Sequence, residues 1–237
     1  MNLLDVLKEE KAAKLKGGIY HKTQVSLTYN SNHIEGSKLS ENQTRFIFET
    51  NTIGATDEDI PIDDIVETTN HFKCIDYIID NAEKALSEDM IRELHLMLKS
   101  GTSDSRRPWF KVGDYKTKPN EVGGERTCVP QEVSQKMGEL ILKYNTAKKK
   151  TIEDVIDFHW RFESIHPFQD GNGRVGRLIM FKECLAAGIV PFIIDEAHRS
   201  YYYRGLKEWT RDKRFLLDTC LAAQDKYKQW LVSLCVL

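Results

Sequence analysis

The sequence lacks the features of membrane-spanning and disulfide-linked proteins. Its apolar runs fall well short of the about 20 residues that a transmembrane helix needs. The first residues soon become rich in lysine and glutamate, without the apolar region of a signal peptide. The five cysteines are odd in number and scattered, which indicates reduced thiols. We therefore expect a cytoplasmic protein with no membrane association.

The chain also lacks an excess of either charge. Its 34 basic and 36 acidic residues give a formal net charge of −2. A surface that coats nucleic acid needs a clustered basic excess, so this balance argues against a nucleic-acid partner. The sequence contains no Walker motif, zinc-ligand spacing or Gly-x-Ser-x-Gly motif, which argues against the enzyme classes that depend on them.

Helical patterns dominate what is present. Ser87 precedes a segment whose apolar residues are spaced three and four positions apart. Ser40 and Thr151 are each followed, three residues later, by a side chain that can complete a capping box. Only residues 101–129 lack a helical period, and their prolines and glycines predict a loop with a small hairpin. The sequence therefore predicts an all-α fold with one hairpin, in a single domain over residues 1–237.

The segment 175–187 predicts a helix that is apolar on nearly every side. A helix of this kind is usually buried. Arg174 and Arg177 nevertheless lie in its first turns, three positions apart and therefore on one face. Because a buried arginine is costly unless it meets an anion, these two need either protein carboxylates or a ligand with several negative oxygens.

Gly171-Asn172-Gly173 opens this helix. Glycines let backbone N–H groups point toward one place, and a helix N-terminus adds positive potential. Arginine side chains would complete a phosphate clamp. A simple helix-entry turn with a surface ion pair is the alternative, but the carboxylate and histidine nearby favour a phosphate site.

Asp170 directly precedes these glycines, and His166 lies four residues before Asp170. A carboxylate beside phosphates needs a cation between them, and Mg²⁺ typically takes one or two protein carboxylates plus phosphate oxygens. Asp170 could instead cap the helix. An imidazole at position 166 could take a proton from a hydroxyl that attacks the phosphate.

The pattern Gly171-x-Gly173-x-x-Gly176 also matches the glycine fingerprint of dinucleotide-binding folds. That fingerprint requires a preceding strand within a βαβ unit. The residues before it have a helical period and no β-branched run, so the sequence argues against a Rossmann fold.

Residues 166–177 resemble the Fic family signature His-Pro-Phe-x-Asp/Glu-Gly-Asn-Gly/Lys-Arg-x-x-Arg at all nine constrained positions. The resemblance implies a Fic-type helical bundle with a β-hairpin flap. It also implies transfer of AMP from ATP to a Ser, Thr or Tyr hydroxyl of a protein target or of the chain itself, with release of pyrophosphate. Transfer of a different group, removal of AMP, or a non-catalytic nucleotide-sensing module are the alternatives.

The resemblance implies a role for each residue of the motif. His166 is expected to be the catalytic base and Asp170 the Mg²⁺ ligand. The residues expected to bind ATP are Gly171, Asn172, Gly173, Arg174, Gly176, Arg177, Tyr202 and Tyr203. The two tyrosines resemble a pair near the adenine, and a pair of core aromatic residues is the alternative interpretation.

Residues 31–36 resemble the inhibitory pattern Ser/Thr-x-x-x-Glu-Gly/Asn of the same family. The resemblance implies an inhibitory helix over about 20–36, in which Glu35 pairs with Arg177 and competes with ATP. Ser31 lies four residues earlier, on the same helical face, and would support that helix. An exposed glutamate near a helix end is the alternative.

Two further segments complete the expected organisation. Residues of about 113–130 resemble the family flap, a hairpin that positions a protein target by strand addition. Lys116 stands where arginine is common, which leaves the identity of the target open. Residues of about 211–237 are expected to form a C-terminal helical extension, with no room for an additional module.

Overall fold

Helices account for almost all of the regular structure. The computed structural model describes residues 2–55, 57 and 59–236. Within these ranges the α-helices are α1 (Leu3–Ala13), α2 (Ile19–Ile34), α3 (Glu41–Thr50), α4 (Ile62–Asp80), α5 (Glu88–Lys99), α6 (Pro130–Thr146), α7 (Ile152–Ile165), α8 (Asn172–Ala186), α9 (Arg199–Glu208) and α10 (Arg214–Ser233). Between α5 and α6, strand β1 (Glu121–Val122) pairs antiparallel with β2 (Glu125–Arg126). The prediction of an all-α fold with a small hairpin is confirmed.

Several helices begin where the sequence carries a capping box. The Ser40 hydroxyl accepts a hydrogen bond from the Gln43 N–H, and the Gln43 side chain accepts one from the Ser40 N–H. Thr151 and Asp154 form the same reciprocal pair at the start of α7. Each box satisfies N–H groups that a helix start leaves without partners. The predicted starts of α3 and α7 are therefore confirmed.

Helix α8 occupies the centre of the molecule. It packs against α7, α5, α4 and α2, and its apolar residues such as Leu178 and Ile179 are buried. Even the polar residues near its end are inside, where Lys182 and Glu183 form an ion pair of 2.7 Å. The all-round burial predicted for this helix is observed, so its N-terminus is fixed by contacts on several sides.

The segments expected to surround the motif all take helical or hairpin form. Helix α2 covers most of the predicted 20–36 segment, and Glu35 is the residue directly after it. Helix α10 lies within the predicted C-terminal extension, and its residues Tyr227 and Leu231 are buried in the main core. None of the helices in the described ranges has the length and apolar character needed to cross a bilayer.

Two helical glycines allow a test of this packing. A Cβ added at Gly205 in α9 would lie 2.7 Å from the Leu216 Cα of α10, whereas one added at Gly138 in α6 would meet only the Glu88 side chain at 3.5 Å. Alanine favours helix over glycine by up to about 1 kcal/mol, but overpacking costs about 1–3 kcal/mol. In urea denaturation we expect Gly205→Ala to lower the free energy of unfolding by about 1–2 kcal/mol. The matched variant Gly138→Ala should raise it by roughly 0.5–1 kcal/mol, and equal effects of the two would contradict the close approach of α9 and α10.

Candidate active site

The site is organised by the loop between α7 and α8. His166 ends α7 in the left-handed conformation, with φ of 51°, and its N–H donates to the Phe162 carbonyl. Phe168 is buried in the core beneath the loop. The Asn172 side chain accepts from the Phe168 N–H at 2.8 Å and donates to its carbonyl at 2.9 Å. These bonds hold residues 166–171 in one conformation, and they leave the backbone N–H of Asn172, rather than its side chain, for a ligand.

His95 of α5 supports the same loop from the other side. Its ring stacks on Phe168 with centroids 4.0 Å apart. Its Nδ1 accepts from the Gly113 N–H, so its Nε2 carries the proton that is donated to the Asp170 carbonyl at 3.1 Å. Burial lowers the pKa of His95 to about 3, which keeps the ring neutral in this double role. Sequence reasoning gave His95 no role in the site, because its partner Asp170 lies 75 residues away along the chain.

The N-terminus of α8 faces the residue that ends α2. Gly171 enters the helix with φ of 79°, a left-handed conformation that glycine adopts without strain. A Cβ added to Gly173 would collide with the Glu35 carboxylate. The helix N-terminus that the sequence predicts as an anion cradle therefore has a protein carboxylate beside it.

Arg177 joins α8 to α2. It is buried, and its guanidinium donates to Glu35 Oε1 at 2.7 Å, to the Ser31 hydroxyl at 3.0 Å and to the Ser31 carbonyl at 2.8 Å. Burial disfavours the charged form, but Glu35 outweighs it and raises the pKa of Arg177. The structure thus brings together the three residues that the inhibitory pattern and the motif single out.

Arg174 belongs to a second group of charges, which we call the Asp170 cluster: Glu67, Lys99, Asp170 and Arg174. The Glu67 carboxylate of α4 binds both Arg174 and Lys99. Asp170 Oδ2 lies 2.7 Å from Lys99 Nζ and 3.3 Å from Arg174 Nη2. Burial raises the pKa of Asp170, but Arg174 and Lys99 outweigh it and hold that pKa well below its usual range. Glu67 and Lys99 were not predicted, because neither stands in a motif.

Asp170 fits the role of a ligand for Mg²⁺ shared with a polyphosphate. Its carboxylate is ionised, about half exposed, and adjacent to the N-terminus of α8. Within the described ranges no group of three or more His, Cys, Asp or Glu side chains could enclose a metal ion. A site with one carboxylate is the kind in which phosphate oxygens supply the remaining ligands.

Gly176 and the two tyrosines lie in different surroundings. Tyr202 is buried, with its hydroxyl 2.6 Å from His159 Nε2, whereas Tyr203 is 41% exposed. A Cβ added to Gly176 would lie 2.7 Å from His159 and 2.9 Å from the Glu163 carboxylate, both on α7. Close packing of α8 on α7 explains the glycine. The burial of Tyr202 matches the core alternative, so Tyr203 is the member of the pair whose ring remains accessible.

The hairpin is attached to the motif loop at its base. The Lys116 N–H donates to the Pro167 carbonyl at 2.8 Å, and its buried ammonium donates to the Ile165 carbonyl at 3.2 Å. The Asn120 side chain adds a bond to the Phe168 carbonyl at 3.0 Å. Burial lowers the pKa of Lys116 to about 8. The strands themselves are exposed, and the residues before them attach the hairpin to the loop that contains His166.

Comparisons with known proteins agree with this geometry. A family model described as the Fic/DOC family matches residues 85–184. The chain is 30% identical to the protein adenylyltransferase Fic of Drosophila mojavensis over 187 residues, which are 76% of this chain and 35% of that protein. The protein of the same name from Drosophila melanogaster is also 30% identical over 187 residues. The chain spans about a third of the length of these relatives.

Solved structures share the fold. A Fic domain-containing signaling protein from Bacteroides thetaiotaomicron superposes with a TM-score of 0.76 and 25% identity, over 97% of this chain and 94% of that one. Fic-1 from C. elegans superposes with a TM-score of 0.74 and 20% identity, over 98% of this chain and 71% of that one. The Fic-type bundle with a small hairpin is thus confirmed as the architecture.

The charge state of Asp170 has a measurable consequence for stability. The pKa of Asp170 is lower in the folded than in the unfolded chain. Its carboxylate therefore stabilises the fold above the unfolded pKa of about 3.9, and this stabilisation is lost as the pH falls toward the folded pKa. We expect Asp170→Asn to be less stable than the unmodified chain at pH 7, with the difference shrinking below about pH 4. Urea denaturation between these pH values measures it, and Asp225→Asn, an exposed carboxylate on α10, is the control. A difference that stayed constant with pH would contradict the charge assigned to Asp170.

Proposed function

Because the chain belongs to the Fic/DOC family, we propose that it transfers AMP from ATP to a Ser, Thr or Tyr hydroxyl of a protein or of itself, and releases pyrophosphate. One observation carries this proposal: His166, Asp170 and two buried arginines converge on the N-terminus of α8. The relatives called protein adenylyltransferase Fic support AMP as the transferred group.

The phosphates of ATP are proposed to bind at the start of α8. Its first N–H groups have no partners within the helix and carry the positive end of the helix dipole. Arg174 lies in this first turn and Arg177 lies one turn further on, on the same face. Their forked guanidinium groups match phosphate oxygens, which would replace the Glu67 and Glu35 carboxylates that they bind now. The phosphates would thereby supply the negative charge that these two buried arginines require.

His166 is proposed to activate the attacking hydroxyl. The target hydroxyl gives its proton to the imidazole, its oxygen forms a bond to the α-phosphorus, and the bond to the pyrophosphate oxygen breaks. The left-handed turn at His166 and the bonds of Asn172 to Phe168 fix the loop that carries the imidazole, which supports this role. A positioned general base of this kind typically contributes about 10²–10⁴ to the rate.

Asp170 would hold Mg²⁺, which supplies neutralisation of the phosphate charge when it is bound. Lys99 now neutralises the Asp170 carboxylate at 2.7 Å. Since Lys99 also binds Glu67, it keeps a carboxylate partner when Asp170 turns to the metal. The cluster is therefore compatible with the loss of one of its contacts.

The hairpin is proposed to receive the protein target. Strands β1 and β2 are exposed and short, and they lie beside the loop that holds His166. An extended target segment could add to the free backbone edge and bring its hydroxyl to the imidazole. The hydrogen bond from the Lys116 ammonium to the Ile165 carbonyl supports this, because it fixes the hairpin relative to the neighbouring His166.

Glu35 is proposed to inhibit the reaction. Its carboxylate lies against Gly173 and is paired with Arg177, so it is positioned where a phosphate of ATP would bind. Ser31 adds two contacts to the same guanidinium, which strengthens the attachment of α2. ATP must displace this carboxylate before Arg177 can bind a phosphate.

We expect Glu35→Gly to raise AMP labelling of the chain, or of an added target, by at least about tenfold, since each 1.4 kcal/mol of lost competition is tenfold in occupancy. Intact mass spectrometry after incubation with ATP and Mg²⁺ measures the added mass. Glu41→Gly, which removes an exposed carboxylate at the start of α3, is the matched control and should label no more than the unmodified chain. Equal labelling of all three proteins would refute inhibition by Glu35.

In the Glu35→Gly background we expect His166→Ala to lower labelling by about 10²–10⁴ while ATP binding is retained, because the imidazole acts on the hydroxyl and not on the nucleotide. Calorimetry measures binding, and ATP labelled at the α- or the γ-phosphate identifies the group transferred. Label from the γ-position would show that phosphate is transferred instead. Tight binding of ATP with no label from either position would favour a nucleotide-sensing module.

A further inference from the structure

A buried carboxylate lies next to the proposed base. Glu163 is in the last turn of α7, three residues before His166, and its side chain is only 14% exposed. Its Oε2 lies 3.7 Å from His166 Nδ1. Glu163 Oε1 and His166 Nδ1 are both buried, and neither has a hydrogen-bond partner within the part of the chain that the structure describes. A buried imidazole nitrogen without a partner thus lies beside Oε2, at a distance slightly too long for a hydrogen bond, while Oε1 lies on the side of Gly176.

The backbone at His166 brings the imidazole to this carboxylate. Residues three positions apart lie on the same side of a helix. The left-handed turn at His166, with φ of 51°, ends α7 while its N–H still bonds to the Phe162 carbonyl. The ring therefore stays beside the last turn of α7. A left-handed conformation is uncommon for a residue other than glycine, and such residues concentrate at functional sites.

Two imidazoles lie beside the Glu163 carboxylate. His159 Nδ1, which has no partner among the described residues, shares with Oε1 the space beside Gly176, whereas Oε2 faces His166. Burial raises the pKa of Glu163, but His166, His159 and Arg177 outweigh it and lower that pKa, so the carboxylate is ionised. Burial lowers the pKa of His159 to about 4, so that imidazole is neutral, and its Nε2 is taken up by the Tyr202 hydroxyl. An ionised buried carboxylate without a donor is costly, and a small rotation would bring the His166 N–H within reach.

The packing of α8 makes room for this pair. A Cβ at position 176 would lie 2.9 Å from Glu163 Oε1 and 2.7 Å from His159 Nδ1. Contacts under 3.0 Å would force one of these side chains to move. Gly176 therefore allows a carboxylate to occupy the space between α7 and α8, which is a second observation independent of the distance to His166.

We propose that Glu163 is a positioning residue that accepts the Nδ1–H of His166 and leaves the Nε2 lone pair free to take the proton of the attacking hydroxyl. This inference rests on the proposed function of His166 as the base. During transfer the hydroxyl proton moves to Nε2, Nδ1 keeps its own proton, and the Glu163 carboxylate stays ionised beside the imidazolium. A carboxylate that fixes the tautomer of a base and stabilises its protonated form is a recurring catalytic arrangement.

The tautomer can be tested without any activity. In ¹⁵N NMR spectra of the unmodified chain at neutral pH, with the ring signals assigned by comparison with His166→Ala, we expect His166 to be protonated at Nδ1. In Glu163→Gln the amide can donate to Nδ1, so we expect a shift toward the Nε2-protonated form. Glu153→Gln, which changes an exposed glutamate of the same helix, should leave the spectrum of His166 unchanged. The same tautomer in all three proteins would overturn the proposal.

The kinetic test uses the Glu35→Gly background. Glu163→Gln should lower the rate of AMP labelling at saturating ATP by at least about tenfold, but by less than the about 10²–10⁴ expected for His166→Ala. The KM for ATP should not change, and Glu153→Gln should behave like its parent. Glu163→Asp, which keeps the charge and shortens the side chain, should lose less activity than Glu163→Gln. An unchanged rate, or a loss confined to KM, would overturn the positioning role.

The two tests separate this inference from the proposed function. Absence of labelling in every protein, together with a tautomer shift in Glu163→Gln, would refute AMP transfer and leave the positioning contact standing. Labelling that depends on His166 but not on Glu163, with no tautomer shift, would refute the contact alone. Urea denaturation of Glu163→Gln checks that it folds, and if it does not, the comparison of Glu163→Asp with its parent decides by the same criteria.

Discussion

Two buried positive charges at the start of an apolar helix set the constraint on which the rest of this structure depends. Arg174 and Arg177 have side chains that are 5% and 4% exposed, and each requires an anion at that depth. In the ligand-free chain the anions are Glu67 and Glu35, which come from α4 and from the end of α2. The same two ion pairs therefore join α8 to α4 and α2 and also occupy the arginines of the candidate site. The proposed binding of a nucleotide would therefore be an exchange, in which phosphates replace carboxylates that are already in place.

The two exchanges differ in what they leave behind. Glu35 is 31% exposed and has one arginine partner, so it can turn to water after it is displaced. Glu67 is only 13% exposed, but it also binds Lys99, so losing Arg174 does not leave it as an unpaired buried charge. If Glu35 left Arg177, water would solvate its carboxylate. If Glu67 left Arg174, Lys99 would still neutralise its carboxylate. This difference fits the proposed inhibitory role of Glu35, and it leaves Glu67 paired with Lys99 in either state.

The features that residue patterns alone predicted are those whose parts lie close together along the chain, whereas the pairing of Glu35 with Arg177, 142 residues apart, was implied by the family resemblance. The capping boxes of α3 and α7, the apolar character of α8 and the motif 166–177 each depend on residues within a few turns. Glu67 escaped prediction because its partner Arg174 is 107 residues away and no pattern marks a glutamate in the middle of α4. The sequence predicted Asn172 only as part of the phosphate cradle. The bonds of its side chain to Phe168 were not predicted, since they depend on a conformation that residue types alone do not specify.

Gly173 and Gly176 stand one turn apart on α8, and each gives space to a glutamate from a different helix. The carboxylate beside Gly173 reaches a guanidinium, so it competes with any phosphate that needs the same group. The carboxylate beside Gly176 lies 3.7 Å from the His166 imidazole, and in the proposed arrangement it would increase the readiness of that ring to accept a proton. Identical chemistry has opposite consequences because the partner differs. If the proposed roles hold, the basic group that each glutamate faces decides whether it restrains or assists the reaction, and both effects would act within four residues of α8.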